Sequence, residues 1–177
     1  MEQQSDEVDR IVQAWVAQRP DLDFSPLEVL SRVDRLSRHL DRARRDAFRR
    51  SELEPWEWDV LSALRRAGEP FQLSPKQLLT QTLVSSGTMT NRIDRLVGRR
   101  LVRREADPAD GRSVLVTLTD DGRTRVDAAI TRLVDAEAVL LEGLSRADRE
   151  RIAGLLRKLS LGFDAMPQTP ATVPPAS

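Results

Sequence analysis

The sequence contains no cysteine and no tyrosine, and His39 is the single histidine among 177 residues. Without cysteine, disulfides, thiolate catalysis, cysteine redox sensing and Cys-ligated zinc are excluded. A metal site built on several imidazoles is excluded as well, because one histidine cannot supply them. No Gly-rich phosphate loop is present, so carboxylates and hydroxyls are the remaining groups for chemistry. We therefore predict a protein that is not an enzyme, with no catalytic residues, no metal and no cofactor.

Long apolar runs are also missing. None approaches the roughly 20 residues that are needed to span a bilayer, and the first six residues, Met1-Glu2-Gln3-Gln4-Ser5-Asp6, are acidic where a signal peptide is basic. A content of 40% hydrophobic and 32% charged residues fits one folded domain with tails. We expect a cytoplasmic protein without a membrane partner.

The net charge is zero, with 28 basic and 28 acidic residues, which argues against indiscriminate binding to nucleic acid. The charges are nevertheless unevenly distributed. Between Ser85 and Arg104, Asp94 is the one acidic residue among these arginines: Arg92, Arg95, Arg99, Arg100, Arg103 and Arg104. Genome base composition accounts for arginine in place of lysine, but it does not account for this clustering. The pattern indicates a local anion-binding surface.

Apolar residues recur at helical spacing through most of the chain, and Ser, Thr and Pro residues mark the helix starts. We predict seven helices: Asp6 to Gln18, Ser25 to about Arg50, Pro55 to about Gly68, Ser74 to about Thr82, one after Ser85, one after Thr119 and one after Ser145. Trp15 is placed on the buried face of the first helix, and Trp56 and Trp58 are interpreted as packing residues. From Asp164 the composition offers no apolar period, which predicts a disordered tail.

The period of the sequence changes after Arg100. Leu101-Val102-Arg103-Arg104 and Val114-Leu115-Val116-Thr117-Leu118 are rich in strand-forming residues and flank the turn sequence Asp107-Pro108-Ala109-Asp110-Gly111. This arrangement predicts a β-hairpin. The predicted fold is mainly α with a small β-hairpin wing: a winged helix-turn-helix lobe plus a helical dimerisation region.

The helix after Ser85 has a thin apolar stripe of Met89, Ile93 and Leu96, and its opposite face is small and rich in hydroxyls. Such a face can enter a DNA major groove. Arg112, near the tip of the hairpin, is either an ordinary solvated turn residue or a minor-groove contact, and we favour the latter. The predicted DNA contacts are Ser74, Lys76, Ser85, Ser86, Gly87, Thr88, Thr90, Asn91, Arg95 and Arg112.

Three motifs in this order resemble the MarR (multiple antibiotic resistance regulator) family of bacterial transcription factors. They are Ser85-Ser86-Gly87-Thr88-Met89-Thr90-Asn91-Arg92, Asp107-Pro108-Ala109-Asp110-Gly111-Arg112 and Leu118-Thr119-Asp120-Asp121-Gly122. The resemblance runs from about Pro26 to Leu159. It implies a homodimeric regulator, a repressor that binds a palindromic double-stranded DNA operator. It also implies an accessory helix in residues 1–22, a MarR-like domain in residues 23–163 and the tail in residues 164–177.

Four further residues resemble the urate-responsive, PecS-like subgroup of that family: Trp15, Asp59, Arg92 and Arg104. In that subgroup, matching residues are associated with a small anionic ligand bound between the dimerisation region and the DNA-binding lobe. The resemblance implies a urate-like or polycarboxylate effector that these four residues bind.

The residues themselves leave alternatives open. Arg92 lies at the edge of the buried stripe of its helix, where a guanidinium needs a partner, and Asp59 can supply the carboxylate. The pair is either a fixed structural strut or part of a ligand site, and Trp15 is either a helix-docking core residue or a ligand wall. Two other functions also remain open, a MarR-type regulator without a urate-like ligand and a winged-helix protein-interaction module.

Overall fold

The computed structural model of the chain describes residues 5–82, 84–108 and 110–164, without the side chains of residues 110–112 and 164. The seven predicted helices and the hairpin are all present, so the predicted fold class is confirmed. The elements are α1 Glu7–Gln18, α2 Ser25–Arg49, α3 Pro55–Arg66, β1 Gln72–Leu73, α4 Pro75–Thr82, α5 Ser86–Gly98, β2 Val102–Asp107, β3 Asp110–Leu118, α6 Asp120–Leu140 and α7 Arg146–Asp164. Along the described residues, no helix combines the length and the apolar character that crossing a membrane requires. The tail predicted after Asp164 lies outside the described residues.

The chain divides into two compact units, one up to Glu137 and one from Ala138 onward. The first unit contains the hydrophobic core, in which α5 contributes Met89, Ile93 and Leu96, all buried as predicted. The other core residues include Val60, Leu61 and Leu64 of α3, Leu78 of α4, Leu101, Val102, Val116 and Leu118 of the wing region, and Val126, Ala129 and Leu133 of α6. The buried stripe of α5 therefore fixes which face this helix turns towards solvent.

In the second unit, a turn after α6 leads into α7. Arg149 donates to the backbone carbonyls of Leu141 at 2.7 Å and Leu144 at 3.1 Å, and Ser145 caps α7 by accepting from the backbone N–H of Asp148 at 3.2 Å. Among the side chains that the structure describes, α7 has none that is buried. Its exposed apolar residues are Ile152, Leu155, Leu156, Leu159, Leu161 and Phe163.

The sheet has one strand more than predicted, and its strand order is β1-β3-β2 with antiparallel pairing throughout. β1 pairs Gln72 with Thr117, and the Gln72 side chain donates to the Thr117 hydroxyl at 2.9 Å. The hairpin strands are also longer than predicted, because Asp107 of β2 still pairs with Asp110 of β3. The wing is therefore connected to the strand before α4 as well as to the end of α5.

A close backbone approach joins the wing to α6. The Thr119 hydroxyl accepts from the backbone N–H of Gly122 at 3.0 Å and lies 3.0 Å from the carbonyl oxygen of Leu101. A Cβ atom on Gly122 would stand only 2.1 Å from that carbonyl oxygen. Glycine is required here because any side chain would displace α6 from the wing.

α1 docks on the first half of α2. Val8 and Val12 are buried, and the guanidinium of Arg32 donates to Asp6 at 2.9 Å and to Asp9 at 2.6 Å. The prediction for Trp15 was wrong for the single chain, because this residue is 50% exposed and its indole stacks on Phe24 with ring centroids 6.2 Å apart. Periodicity identified the apolar face correctly, but docking on α2 buries only its first turns.

Candidate DNA interface and effector site

The N-terminus of α5 is fixed by Ser85. The Ser85 hydroxyl accepts a hydrogen bond from the backbone N–H of Thr88 at 3.4 Å, and the two side-chain hydroxyl oxygens lie 2.9 Å apart. An N-cap of this kind satisfies one of the free backbone donors at a helix end and sets where the helix begins. The predicted start of this helix is confirmed.

The side of α5 away from its buried stripe is polar and open to solvent. Its exposed residues are Ser86, Gly87, Thr88, Thr90, Asn91, Asp94 and Arg95. The Thr90 hydroxyl donates to the carbonyl of Ser86 at 3.2 Å, so the helix itself uses that group. The Asn91 amide has both donors and an acceptor, which is the combination that reads adenine in the major groove.

α4 precedes this helix and begins with a capping box. The backbone N–H of Ser74 donates to the Gln77 side chain at 2.8 Å, and the backbone N–H of Gln77 donates to the Ser74 hydroxyl at 3.3 Å. Ser74 is therefore already engaged in local structure, and Lys76 in the same turn is exposed. An exposed lysine in the first turn of α4 is available to a phosphate group.

The wing carries arginines on β2. Arg103 pairs with Glu105 at 2.8 Å on the exposed surface of the strand. By its backbone, Arg112 belongs to β3, but its side chain lies outside the described residues. Its contact with the minor groove stays a prediction from the sequence.

Trp56 lies against the exposed flank of α5. The guanidinium carbon of Arg95 is 4.5 Å from the centroid of the Trp56 ring, and that of Arg92 is 5.8 Å from it. These three residues line a cavity of about 490 Å³ together with Gly87, Thr88 and Asn91. The candidate DNA-reading face therefore contains a depression that is lined by two arginines and the Trp56 ring.

Arg92 and Asp59 lie next to each other, as expected from the sequence, but the distance between their charged groups is long. The Nη1 atom of Arg92 lies 3.9 Å from Oδ2 of Asp59, and this buried nitrogen has no hydrogen-bond partner among the described residues. The Arg92 side chain is 20% exposed and that of Asp59 is 50% exposed. Burial raises the pKa of Asp59, while the neighbouring Arg92 and Arg66 act in the opposite direction.

The other two candidate effector residues lie apart from this pair. Arg104 pairs with Asp94 at 2.6 Å and reaches the backbone carbonyl of Thr90 at 3.5 Å. At about 100° per residue, Asp94 lies roughly 200° around α5 from Arg92, so Arg104 contacts the opposite flank of the helix. Trp15 contacts Phe24 at the start of α2. Within one chain, the structure brings together two of the four predicted residues.

Sequence reasoning missed a charged pair inside the lobe. Glu57 of α3 is 1% exposed, and it accepts a hydrogen bond from Arg99, the residue that follows α5. Arg99 also donates to the backbone carbonyl of Glu52 at 2.8 Å. The sequence signal that could have indicated this role is the position of Glu57 in the capping box of α3. Its carboxylate accepts from the backbone N–H of Glu54 at 2.9 Å. The pair positions the C-terminal end of α5.

Comparisons with known proteins place this geometry among DNA-binding regulators. Residues 51–113 match the MarR family. The transcriptional regulator PecS of Dickeya dadantii is 35% identical over 153 residues, which is 86% of this chain and 92% of PecS. The transcriptional repressor NicR of Pseudomonas putida is 30% identical over 142 residues, which is 78% of this chain and 88% of NicR.

Solved structures show the same fold. BpsR of Bordetella bronchiseptica, whose DNA binding is regulated by 6-hydroxynicotinic acid, is 34% identical with a TM-score of 0.61, covering 78% of this chain and 96% of BpsR. A cysteine-to-serine mutant of Escherichia coli MarR in complex with operator DNA is 24% identical with a TM-score of 0.63, covering 88% of this chain and 99% of MarR. The second similarity concerns the fold alone.

Proposed function

Because this chain belongs to the MarR family of DNA-binding transcriptional regulators, we propose that it is a homodimeric repressor that binds a palindromic operator in the cytoplasm and is released by a small anionic ligand. Members of this family are transcriptional regulators and not enzymes. The similarity to PecS supports the PecS-like subgroup. The observation that carries the effector part of the proposal is the buried Nη1 of Arg92, which lacks a hydrogen-bond partner among the described residues and lies beside Asp59.

A second copy of the chain would cover apolar surface that one chain leaves open. The first half of α2 exposes Leu27, Leu30, Val33 and Leu36, and α7 exposes apolar residues as well. Surfaces of this kind mark protein contacts rather than solvent-facing helices. A homodimer would also present two recognition helices to half-sites about 34 Å apart, as a palindrome requires.

In DNA recognition, α5 would enter the major groove while the wing lies beside the minor groove. Thr88 and Asn91 would contact base edges, whereas Ser74, Lys76 and Arg112 would contact phosphates or the minor groove. Ser85, Ser86, Gly87, Thr90 and Arg95 complete the proposed interface. The exposure of the α5 residues and of Lys76 supports this assignment.

The effector site would use the gap between Arg92 and Asp59. A buried guanidinium nitrogen without an acceptor is a rare and unfavourable state, and an acceptor on a ligand would satisfy it. Asp59, with a raised pKa, would accept from a donor on the same ligand. The fitting class is a small planar or polycarboxylate anion with acceptors and a donor, such as urate or trans-aconitate. The regulation of BpsR by 6-hydroxynicotinic acid, a planar carboxylate, supports this class.

Arg104 and Trp15 would join the response indirectly. Arg104 holds the opposite flank of α5 through Asp94, so a ligand at Arg92 would reach it by moving α5. Trp15 would close the site only if another segment or a second copy brought α1 close to it. A tilt of α5 would spoil the spacing of the two half-site contacts, which gives the ligand different affinities for two states of the dimer.

A gel-shift experiment tests the proposal. The probe is a duplex of the intergenic DNA upstream of the gene, and 6-hydroxynicotinate, urate and trans-aconitate are added separately. We expect a dimer in sedimentation, a specific shift and its loss with at least one ligand. Without a shift, the protein-interaction module is favoured. A shift that none of the three ligands affects favours a MarR-type regulator without a urate-like effector.

A further inference from the structure

We infer that Trp56 is a positioning residue for DNA recognition, because it holds the guanidinium of Arg95 in an orientation in which its donors can contact DNA. The inference rests on the proposed function, in which α5 reads the major groove. The relevant observation is the 4.5 Å distance between the guanidinium carbon of Arg95 and the centroid of the Trp56 ring. Trp56 is the second residue of α3, and α3 is anchored in the core through Val60, Leu61 and Leu64.

Arg95 differs from three of the neighbouring arginines in its contacts. Arg99, Arg103 and Arg104 each pair with a carboxylate, on Glu57, Glu105 and Asp94 respectively. Within the described part of the chain, the Arg95 guanidinium forms neither an ion pair nor a hydrogen bond, and the contact recorded for it is the Trp56 ring. Arg95, on the exposed face of α5, is thus held by an aromatic surface rather than by a carboxylate.

The contact with Trp56 leaves the N–H donors of the Arg95 guanidinium free. A ring stacked under the guanidinium uses its face, whereas the five N–H donors point outward in the plane. A carboxylate partner would occupy those donors and would add a negative charge where a phosphate must approach. Stacking therefore restricts the flexible side chain while its donors remain available for a guanine edge or a phosphate.

Trp56 also connects Arg95 to the candidate effector pair, Arg92 and Asp59. Trp56 and Asp59 lie one turn apart on α3, and Arg92 contacts both, at 5.8 Å from the ring centroid and 3.9 Å from the carboxylate. Arg92 and Arg95 thus share one aromatic ring. A ligand that draws Arg92 away from Asp59 would disturb the surface on which Arg95 rests.

A double-mutant cycle on operator affinity tests the inference, with Trp56→Leu, Arg95→Gln and both together in the full-length protein. We expect Trp56→Leu to weaken binding by about two- to fivefold, which is the range of an exposed cation–π contact. Arg95→Gln removes the proposed DNA contact itself, so it should weaken binding at least as much. The double variant should be no weaker than Arg95→Gln alone, since Trp56 acts through Arg95. Trp56→Phe, which keeps an aromatic face, should retain most of the affinity.

Trp58 supplies the matched control, because it lies two residues away on α3 and stacks on Phe48 with ring centroids 4.9 Å apart. Trp58→Leu should leave the operator affinity of the folded fraction unchanged. If Trp56→Leu does not fold at the assay temperature, the cycle is measured at low temperature with Trp56→Met, which keeps an apolar side chain of similar reach without an aromatic ring. Additive losses, or no loss from the non-aromatic Trp56 variant, would overturn the inference. Failure of the wild-type protein to bind would instead overturn the proposed function.

Discussion

Arg99, which follows the last residue of α5, donates a hydrogen bond to the almost fully buried carboxylate of Glu57 in the first turn of α3. The pair fixes one end of α5, while the N-cap of Ser85 fixes the other. A buried carboxylate that loses its partner is strongly unfavourable. The position of α5, and with it the candidate DNA-reading face, therefore depends on this charged contact.

Arg99→Met should lower the free energy of unfolding by about 2–3 kcal/mol, less than the roughly 3–5 kcal/mol of a fully buried pair, because water reaches part of Arg99. Denaturant titration followed by circular dichroism measures the loss. Glu57→Gln in the same chain should recover part of it, since the unpaired charge is removed. The exposed pair offers the control, and Arg103→Met should change stability by about 0.5 kcal/mol or less. Equal losses from both arginines would contradict the structural role of Arg99.

Much of this lobe can be predicted from the sequence, because local spacing determines it. Met89, Ile93 and Leu96 recur at helical spacing, so the orientation of α5 follows from periodicity alone. The pairing of Gln72 with Thr117 does not follow, because β1 has two residues and its partner lies 45 positions away. Long-range contacts between short elements leave no periodic signal.

In the candidate site too, some features can be predicted from the sequence and others cannot. Arg92 was expected to need an acidic partner because it borders the buried stripe, and the structure places Asp59 beside it. Glu57 was missed because a glutamate is rarely buried, and its arginine lies 42 positions away. The exposure of Trp15 could not be predicted either, because periodicity does not show how much of the apolar face of α1 is covered by α2.

Gly122→Ala should destabilise the protein by about 2–3 kcal/mol, because the added methyl group meets a backbone carbonyl oxygen that cannot rotate away. Thermal or denaturant unfolding measures the change. Gly98 at the end of α5 is the matched control, since nothing lies within 4 Å of the position of its Cβ atom. Gly98→Ala should be neutral or slightly stabilising. If Gly122→Ala were equally harmless, the wing and α6 would not be in close contact.

Asn91→Ala and Arg112→Ala should weaken DNA binding in different ways. Loss of the Asn91 amide removes a base contact, so the variant should discriminate less between the operator and mutated operators. Loss of the Arg112 charge should weaken binding to most sequences and reduce the salt dependence of binding by about one unit of slope. Titrations at several salt concentrations with matched duplexes separate the two effects. Similar, sequence-independent losses would show that α5 does not read bases.

Asp59→Asn should change the pH dependence of stability. Burial raises the pKa of Asp59 above its ordinary value of 3.8, so the folded state binds this proton more tightly than the unfolded state does. The stabilising contribution is therefore complete below the ordinary value and is lost as the pH rises through the raised pKa. As the pH rises from below 3.8 through the raised pKa of Asp59, the variant should gain stability relative to the wild type. A pH-independent difference in denaturant titrations would contradict a raised pKa of Asp59 in the folded state.

Asp59→Ala and Arg104→Ala should separate operator binding from ligand-induced release. Asp59 lies on α3 and Arg104 on β2, outside the exposed face of α5, so both variants should bind the operator with nearly wild-type affinity in the absence of ligand. Both should lose the response to an anionic effector, Asp59→Ala because the ligand loses its acceptor and Arg104→Ala because movement of α5 is no longer linked to β2. Arg103→Ala, which removes the same charge from the adjacent position, should still respond. Gel shifts and thermal shifts with 6-hydroxynicotinate, urate and trans-aconitate measure both properties. If Asp59→Ala and Arg104→Ala respond as the wild type does, the Arg92–Asp59 pair is a structural strut and the effector binds elsewhere.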